Sequence, residues 1–180
     1  VMTTHTIMNS FLKKYSAISA LPIEKLQQCF VFRPVHICNP VALYGGEFLF
    51  HYSLHTIPTI GFQVFYHGQS IVFSSDTYYN PPELIKMRDK GVLSEGRFTS
   101  LMNFPWHSTL VFHEAGVPPI HTPIEQLVAL PDEIKAKLHL MHVSDKDVPQ
   151  SSGLRIAGSG IHSTIRLKTS DNPPPTITDM

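Results

Sequence analysis

The chain has 180 residues, with 14 basic and 14 acidic side chains and a formal net charge of zero. Hydrophobic residues make up 42% and charged residues 16% of the sequence, which predicts a buried core and excludes an intrinsically disordered chain. The lack of excess Lys and Arg argues against a basic nucleic-acid-binding module. Eleven histidines form a surplus that needs an explanation.

The two cysteines predict where the protein is located, and the N-terminus predicts that the chain is part of a longer protein. No segment has the 18 or more apolar residues of a membrane span, and no signal peptide opens the sequence, so no membrane partner is expected. Cys29 and Cys38 do not make a disulfide framework, so a reduced, cytoplasmic protein is expected. Val1 stands where an initiator Met would be, and residues 3–15 already follow a helical pattern, which predicts a piece of a longer protein.

The first half of the chain is predicted to pass from helix to strand. Apolar residues recur at helical spacing up to residue 19, and a proline begins a short helix at residues 22–28. Runs of β-branched and aromatic residues then predict strands at residues 29–33, 35–38, 47–54, 61–66 and 70–74. A hairpin turn is predicted at residues 66–69.

The second half is predicted to alternate strands with helices. Helices are predicted at residues 81–90, 123–130 and 131–137, and strands at residues 109–113 and 138–143. Antiparallel strands followed by this alternation predict an α/β fold, with a mixed sheet and flanking helices. Three consecutive prolines predict a tail or linker over residues 171–180.

Titratable side chains stand where predicted strands end. Asp76, His113 and His142 close or follow three strands, His55 follows another, and His121 lies in a proline-rich loop. Ligands of open sheets bind beyond the carboxyl ends of the strands, and imidazole and carboxylate groups suit zinc and similar ions. A catalytic metal site is therefore one interpretation. The other is that each of these groups is a hydrogen-bonded structural or turn residue.

Two histidine pairs have spacings that resemble metal motifs. His51 and His55 are four residues apart, but the Glu of a metalloprotease helix is missing and the segment is predicted to be a strand. His139 and His142 would point to opposite faces of a strand, so at most one of them faces a site. Neither pair identifies a reaction.

Five short elements in a fixed order carry more information than any one of them. They are His55 with Gly61-Phe62, Ser75-Asp76-Thr77, His113-Glu114-Ala115, His121-Thr122-Pro123 and His142-Val143-Ser144. Over about residues 47–145 this order resembles the second half of a metallo-β-lactamase-fold phosphodiesterase of the ribonuclease Z type. The resemblance implies that residues 1–150 are the C-terminal half of a four-layer αββα domain, and residues 151–180 a terminal strand with a proline-rich tail.

The resemblance also implies a role for individual residues. His55 looks like a ligand of one metal ion, Asp76 like the carboxylate that bridges two ions, and His142 like a ligand of the second ion. His121 is similar to the loop histidine that contacts the scissile phosphate or aids proton transfer. The implied catalytic residues are therefore His121 and Asp76.

The implied metal centre is incomplete in this chain. His113 and Glu114 look like residues that support the ligands. The implied cofactor is a pair of divalent ions, Zn²⁺ or Mn²⁺, which together activate a water molecule. The family's first motif, His-x-His-x-Asp-His, supplies most of the ligands and does not occur in this sequence. The implied partner is therefore the missing N-terminal half of the domain.

Three classes of function follow from these patterns. The first is a metal-dependent phosphodiester hydrolase, active in the intact protein, whose substrate is an RNA 3′ end or a cyclic nucleotide; the neutral charge disfavours a long RNA. The second is another hydrolase of the same fold, acting on a thioester, lactone or lactam. The third is a non-catalytic domain for binding or assembly, including a homodimer, because a half-domain exposes apolar sheet surface. Phe48, Phe50, Phe62 and Phe65 suit such a surface or plain core packing.

Overall fold

The computed structural model describes residues 1–167, so the tail predicted at residues 171–180 lies outside the described residues. The first 34 residues form a small unit of their own. Its elements are β1 (Met2–Thr3), α1 (His5–Ser19), α2 (Ile23–Gln28) and β2 (Arg33–Pro34). The strands β1 and β2 pair in parallel over two residues each.

The remaining described residues form one seven-stranded sheet with helices and short 3₁₀ turns. Its strands are β3 (Val41–Leu43), β4 (Gly46–Tyr52), β5 (Ile60–Tyr66), β6 (Gln69–Phe73), β7 (Leu110–Glu114), β8 (Leu138–Met141) and β9 (Arg155–Ile156). Its helices are α3 (Pro81–Asp89), α4 (Glu95–Met102), α5 (Ile124–Val128) and α6 (Asp132–Lys135). The 3₁₀ turns are Asp145–Asp147, Gln150–Ser152 and Ile161–Ser163.

The sheet keeps chain order from β3 to β9 and has two kinds of pairing. From β3 to β6 the strands are antiparallel, and from β6 to β9 they are parallel. The strands β4, β6, β7 and β8 therefore run in the same direction, and their carboxyl ends meet at one edge, here called the carboxyl edge. The predicted α/β class, with a mixed sheet and flanking helices, is confirmed.

The core lies on the face of the sheet that the helices cover. Val72, Val111 and Leu138 stand in register on three neighbouring strands and are fully buried. Leu127 of α5 and Ile134 of α6 pack in the same cluster. Burying a side chain of this size stabilises the fold by about 1.5–3 kcal/mol, so this cluster holds the parallel half of the sheet together.

Helix ends in this region follow local sequence signals. The side chain of Asn80 caps α3 by accepting a hydrogen bond from Glu83 N, and prolines occupy the first helical positions. The side chain of Ser94 caps α4 in the same way, through Arg97 N. None of the helices within residues 1–167 has the length and apolar character needed to cross a membrane.

Two predicted strands are wrong. Residues 29–33 are not extended before Arg33, because Phe30 and Phe32 pack on the cluster that Met8 and Leu12 form in the N-terminal unit. Residues 35–38 form no strand, and Cys38 has a positive φ of 62°, which interrupts an extended chain. The short strand β3 and the helix α4 are absent from the sequence-based prediction.

Candidate active site

Five ionisable side chains lie at the carboxyl edge of the sheet. Glu114 is the last residue of β7, and His142 directly follows β8. Asp76 comes three residues after β6, and His55 comes three residues after β4. His121 returns to the same edge in the loop between β7 and α5. The fold thus brings together residues that the sequence separates widely.

The loop that carries His121 folds back tightly on the end of β7. Gly116 N donates a hydrogen bond to Thr122 O at 2.9 Å, and His121 N donates to Val117 O at 3.2 Å. A Cβ atom at Gly116 would lie 2.8 Å from Cβ of His121, which is closer than real contacts allow. A glycine is therefore required for this close return of the loop.

Glu114 is a buried carboxylate with partners on both oxygens. Its Oε1 accepts hydrogen bonds from Thr122 N at 2.9 Å and Thr77 N at 3.2 Å, and its Oε2 lies 3.1 Å from Nδ1 of His121. The backbone N–H of Glu114 donates to Oγ of Ser74 at 3.0 Å. Burial raises the pKa of Glu114, although the two backbone donors and the nearby imidazole oppose that rise. The arrangement fixes the orientation of the His121 ring.

Thr77 and Thr122 link the two loops that surround Glu114. The Thr122 hydroxyl donates to the backbone oxygen of Thr77 at 2.8 Å and accepts from Tyr79 N at 3.0 Å. Both threonines are buried. Sequence reasoning missed the role of both threonines. Their position directly after Asp76 and His121 is the signal that could have found them.

The other histidines of the carboxyl edge surround His121. Its ring centroid lies 5.3 Å from that of His55 and 4.7 Å from that of His142. Nδ1 of His142 lies 3.7 Å from Oδ1 of Asp76. Nε2 of His55 is buried and has no hydrogen-bond partner among the described residues. An unpartnered buried nitrogen is costly unless a ligand or water satisfies it.

Two overlapping sets of donors can hold a metal ion here. One donor atom from each of Glu114, His121 and His142 lies within 4.8 Å of the others. The set expected from the sequence is His55, Asp76 and His142, and it shares only His142 with this group. Imidazole nitrogens and carboxylate oxygens are the ligands that zinc and similar divalent ions take in proteins. The donor chemistry of the edge therefore fits a divalent ion.

His113 lies apart from this group and belongs to the core. Its ring is fully buried and stacks on Trp106 at a centroid distance of 5.1 Å. Nδ1 lies 2.7 Å from Glu114 O, and because a carbonyl accepts only, Nδ1 carries the proton. Burial lowers the pKa of His113 to about 4, so the ring is neutral at pH 7.

Comparisons with known proteins identify relatives of this chain. The family model described as Anti-Pycsar protein Apyc1 matches residues 3–158 of the chain. A cGMP-dependent 3′,5′-cGMP phosphodiesterase A from Dictyostelium discoideum is 49% identical over 167 residues, which are 93% of this chain and 19% of that protein. A cAMP/cGMP-dependent 3′,5′-cAMP/cGMP phosphodiesterase B from the same organism is 39% identical over 142 residues, which are 79% of this chain and 13% of that protein.

The fold also has a match among solved structures. A diphosphatase from the PhnP family superposes with a TM-score of 0.56 at 16% sequence identity. The superposition covers 89% of this chain and 56% of the diphosphatase. At this identity the match shows a shared fold. The chain spans about a fifth or less of the length of the two phosphodiesterases that it matches.

Proposed function

The chain belongs to the family of the Anti-Pycsar protein Apyc1, and on that premise we propose that it supplies part of the active site of a metal-dependent phosphodiester hydrolase. The resemblance to metallo-β-lactamase-fold phosphodiesterases, expected from the sequence, is confirmed. The proposed substrate is a 3′,5′-cyclic nucleotide, because both curated relatives are named for that reaction. The observation that carries the proposal is the Glu114–His121 hydrogen bond beside Asp76, His55 and His142 at the carboxyl edge.

The proposed metal ligands are His55, Asp76 and His142. Nε2 of His55 is buried and unpartnered, and it can bind an ion once Nδ1, which accepts from Ile57 N at a long 3.4 Å, takes the ring proton. The exposed pair of Asp76 with His142 leaves further donor atoms available. Both oxygens of Glu114 already have partners, so Glu114 is assigned a positioning role. Two bound divalent ions, zinc or manganese, would activate water and stabilise negative charge on the phosphate oxygens. The remaining ligands would come from the N-terminal half of the domain.

His121 is the proposed proton donor. Its Nδ1–H donates to the Glu114 carboxylate, which leaves Nε2 to carry the transferable proton. In the proposed reaction a water molecule gives up one proton to the solvent, its oxygen forms a bond to phosphorus, and the P–O3′ bond of the cyclic ester breaks. The proton on Nε2 passes to the leaving O3′, which becomes a hydroxyl group. His113, neutral and held in the core, stays outside this transfer.

Three earlier expectations remain predictions of the proposal. An RNA 3′ end, the substrate of a ribonuclease Z-like enzyme, is the second choice, because the chain has no net positive charge to attract a long polyanion. A cytoplasmic location is consistent with Cys29 and Cys38, which are both exposed and unpaired. A homodimer is tested by the molar mass of the purified protein in solution.

The test uses the intact protein, stripped of metal and then reconstituted with zinc or manganese. We expect hydrolysis of 3′,5′-cyclic nucleotides only after metal is added, and little activity on thioesters or lactones. Asp76→Asn should lose both bound metal and activity, whereas the matched change Asp147→Asn at an exposed aspartate should keep both. Metal-independent activity, or an Asp76→Asn variant with wild-type turnover, would contradict the proposal.

A further inference from the structure

A cavity of about 290 Å³ adjoins the carboxyl edge on the side of His55, which lines it. Its volume lies just below the usual range for small-molecule pockets, which begins at about 300 Å³. Because His55 belongs to both the edge and the cavity wall, a ligand whose phosphate lies at the edge can extend its other end into the cavity. Apolar side chains and one aromatic ring form most of the wall: Leu54, Tyr78, Met87 and Pro119.

One carboxylate, that of Glu83, faces this largely apolar cavity. Glu83 is in the first turn of α3, where its backbone N–H bonds to the side chain of Asn80. Nζ of Lys86 lies 2.6 Å from Oε1, while Oε2 has no hydrogen bond with any described residue. Lys86 thus offsets the charge of the carboxylate, so that it does not repel a phosphate nearby, and leaves acceptor capacity for a ligand.

Tyr78 offers a second polar contact in the same wall. Its Oη accepts a hydrogen bond from Nδ2 of Asn80 at 3.2 Å, so its own hydroxyl proton is available to a ligand. Its backbone N–H is held by Leu54 O at 2.7 Å, and the residue is 8% exposed. The hydrogen bond of its backbone therefore holds Tyr78 in place. The apolar side chains beside it can pack against the faces of a planar ligand ring.

We propose that this cavity holds the nucleobase of the cyclic nucleotide and that Glu83 selects guanine over adenine; this inference rests on the proposed function. A carboxylate accepts hydrogen bonds only. Guanine offers it two adjacent donors, N1–H and the N2 amino group, and offers O6 as an acceptor to a hydroxyl such as that of Tyr78. Adenine has an acceptor, N1, at the position where guanine has N1–H. In adenine this nitrogen would face a carboxylate oxygen, and two acceptors repel each other.

The test compares cGMP with cAMP in the intact protein and its Glu83→Gln variant. A bidentate pair lost from a base changes discrimination by about tenfold to a hundredfold, so the wild-type preference for cGMP in kcat/KM should fall by that factor. The fall should arise mainly from a higher KM for cGMP. The matched control, Glu24→Gln in the first turn of the remote helix α2, should leave the preference unchanged.

A second measurement separates this inference from the proposed function. Binding of cGMP and cAMP is followed by calorimetry in the presence of a chelator, where no turnover occurs. Weaker cGMP binding in Glu83→Gln, with a melting temperature near that of the wild type, supports the guanine site even in a protein that hydrolyses nothing. Metal-dependent hydrolysis with the same cGMP-to-cAMP ratio in both proteins overturns the guanine site and leaves the hydrolase intact. Failure of the wild type to bind cGMP overturns it as well.

Discussion

Two carboxylate–imidazole pairs lie side by side at the carboxyl edge, and their surroundings differ. The inner pair joins Glu114 to His121 at 3.1 Å, with the two side chains 1% and 20% exposed. The outer pair joins Asp76 to His142 at 3.7 Å, with side chains 42% and 55% exposed. The same two kinds of group thus meet once in the protein interior and once in water.

The difference in exposure and hydrogen bonding indicates that the inner pair positions a side chain and the outer pair binds a ligand. Each oxygen of Glu114 has a hydrogen-bond partner, so the inner pair holds one geometry and orients one ring. The Asp76–His142 contact is too long for a hydrogen bond, and water can replace it at little cost. The outer pair is therefore free to exchange its partner for a ligand, while the inner pair is not.

Removing the inner imidazole should have the largest effect. In His121→Ala we expect kcat to fall by about 10²–10⁴, the range that one positioned proton donor contributes. Bound metal, measured by elemental analysis, should stay at the wild-type level, and His107→Ala at an exposed histidine is the control. Loss of metal together with activity would show that His121 is a metal ligand and not a proton donor. The inner and outer pairs would then not differ in function as described.

Acid should destabilise the fold through the buried ring of His113, which directly precedes Glu114 of the inner pair in sequence. Because His113 has a pKa of about 4 when folded and about 6.5 when unfolded, the unfolded chain binds more protons between these pH values. Stability should therefore fall as the pH drops from about 6.5 to about 4, by about 3 kcal/mol from this group. The raised pKa of Glu114 acts in the opposite direction, because the folded carboxyl regains its proton more readily in acid.

The measurement is urea unfolding of the metal-free protein at several pH values between 7 and 4. His113→Phe keeps a planar ring against Trp106 but removes the titrating group. The free energy of unfolding of this variant should therefore fall less steeply as the pH drops, with a slope that corresponds to about one proton fewer. An unchanged slope in His113→Phe would place the acid sensitivity elsewhere.

Changing the inner carboxylate alone should have a smaller effect on rate. Glu114→Gln can still accept from Thr77 N and Thr122 N, but its amide then donates to His121 Nδ1 and reverses the tautomer of that ring. We expect kcat to fall by about tenfold to a hundredfold, together with a change in the pH profile of kcat. A wild-type profile with reduced stability would reduce Glu114 to a purely structural residue.

The outer pair should contribute least to the metal-free fold. In Asp76→Asn we expect the free energy of unfolding without metal to change by less than about 1 kcal/mol, as for other exposed ion pairs. The rise in melting temperature on adding zinc should nevertheless be lost in this variant. A destabilisation comparable to that of Glu114→Gln would show that the two pairs do not differ as described.

The sheet could be predicted from the sequence because its signals are local. Runs such as Ile71-Val72-Phe73 have the composition of buried strands, and turn residues bound them. The run at Phe30 misled the prediction because its apolar side chains cover α1 and α2 instead of a sheet. Helix α4 was missed although Ser94 is a good cap, because Gly96 and the polar residues after it weaken the helical pattern.

The site was predictable only in part. The rule that ligands gather at the carboxyl ends of strands placed Asp76 and His142 at one edge. The bonds that fix Glu114 could not be read in the same way, because Thr77 and Thr122 donate from loops whose approach depends on the whole sheet. The ligand roles of His55, Asp76 and His142 remain predictions, which the metal analyses above test.

The order of the parallel strands has a consequence for synthesis of the chain. His142 follows β8, and β8 pairs with β7 only after the crossover through α5 and α6 has been made. Closing such long connections costs entropy before any contact between distant segments repays it, so this edge forms late in folding. On the ribosome, a chain that ends before residue 142 lacks one imidazole of the outer pair. The outer pair is therefore completed only after the core residues Leu138 and Leu140 of β8 have been synthesised.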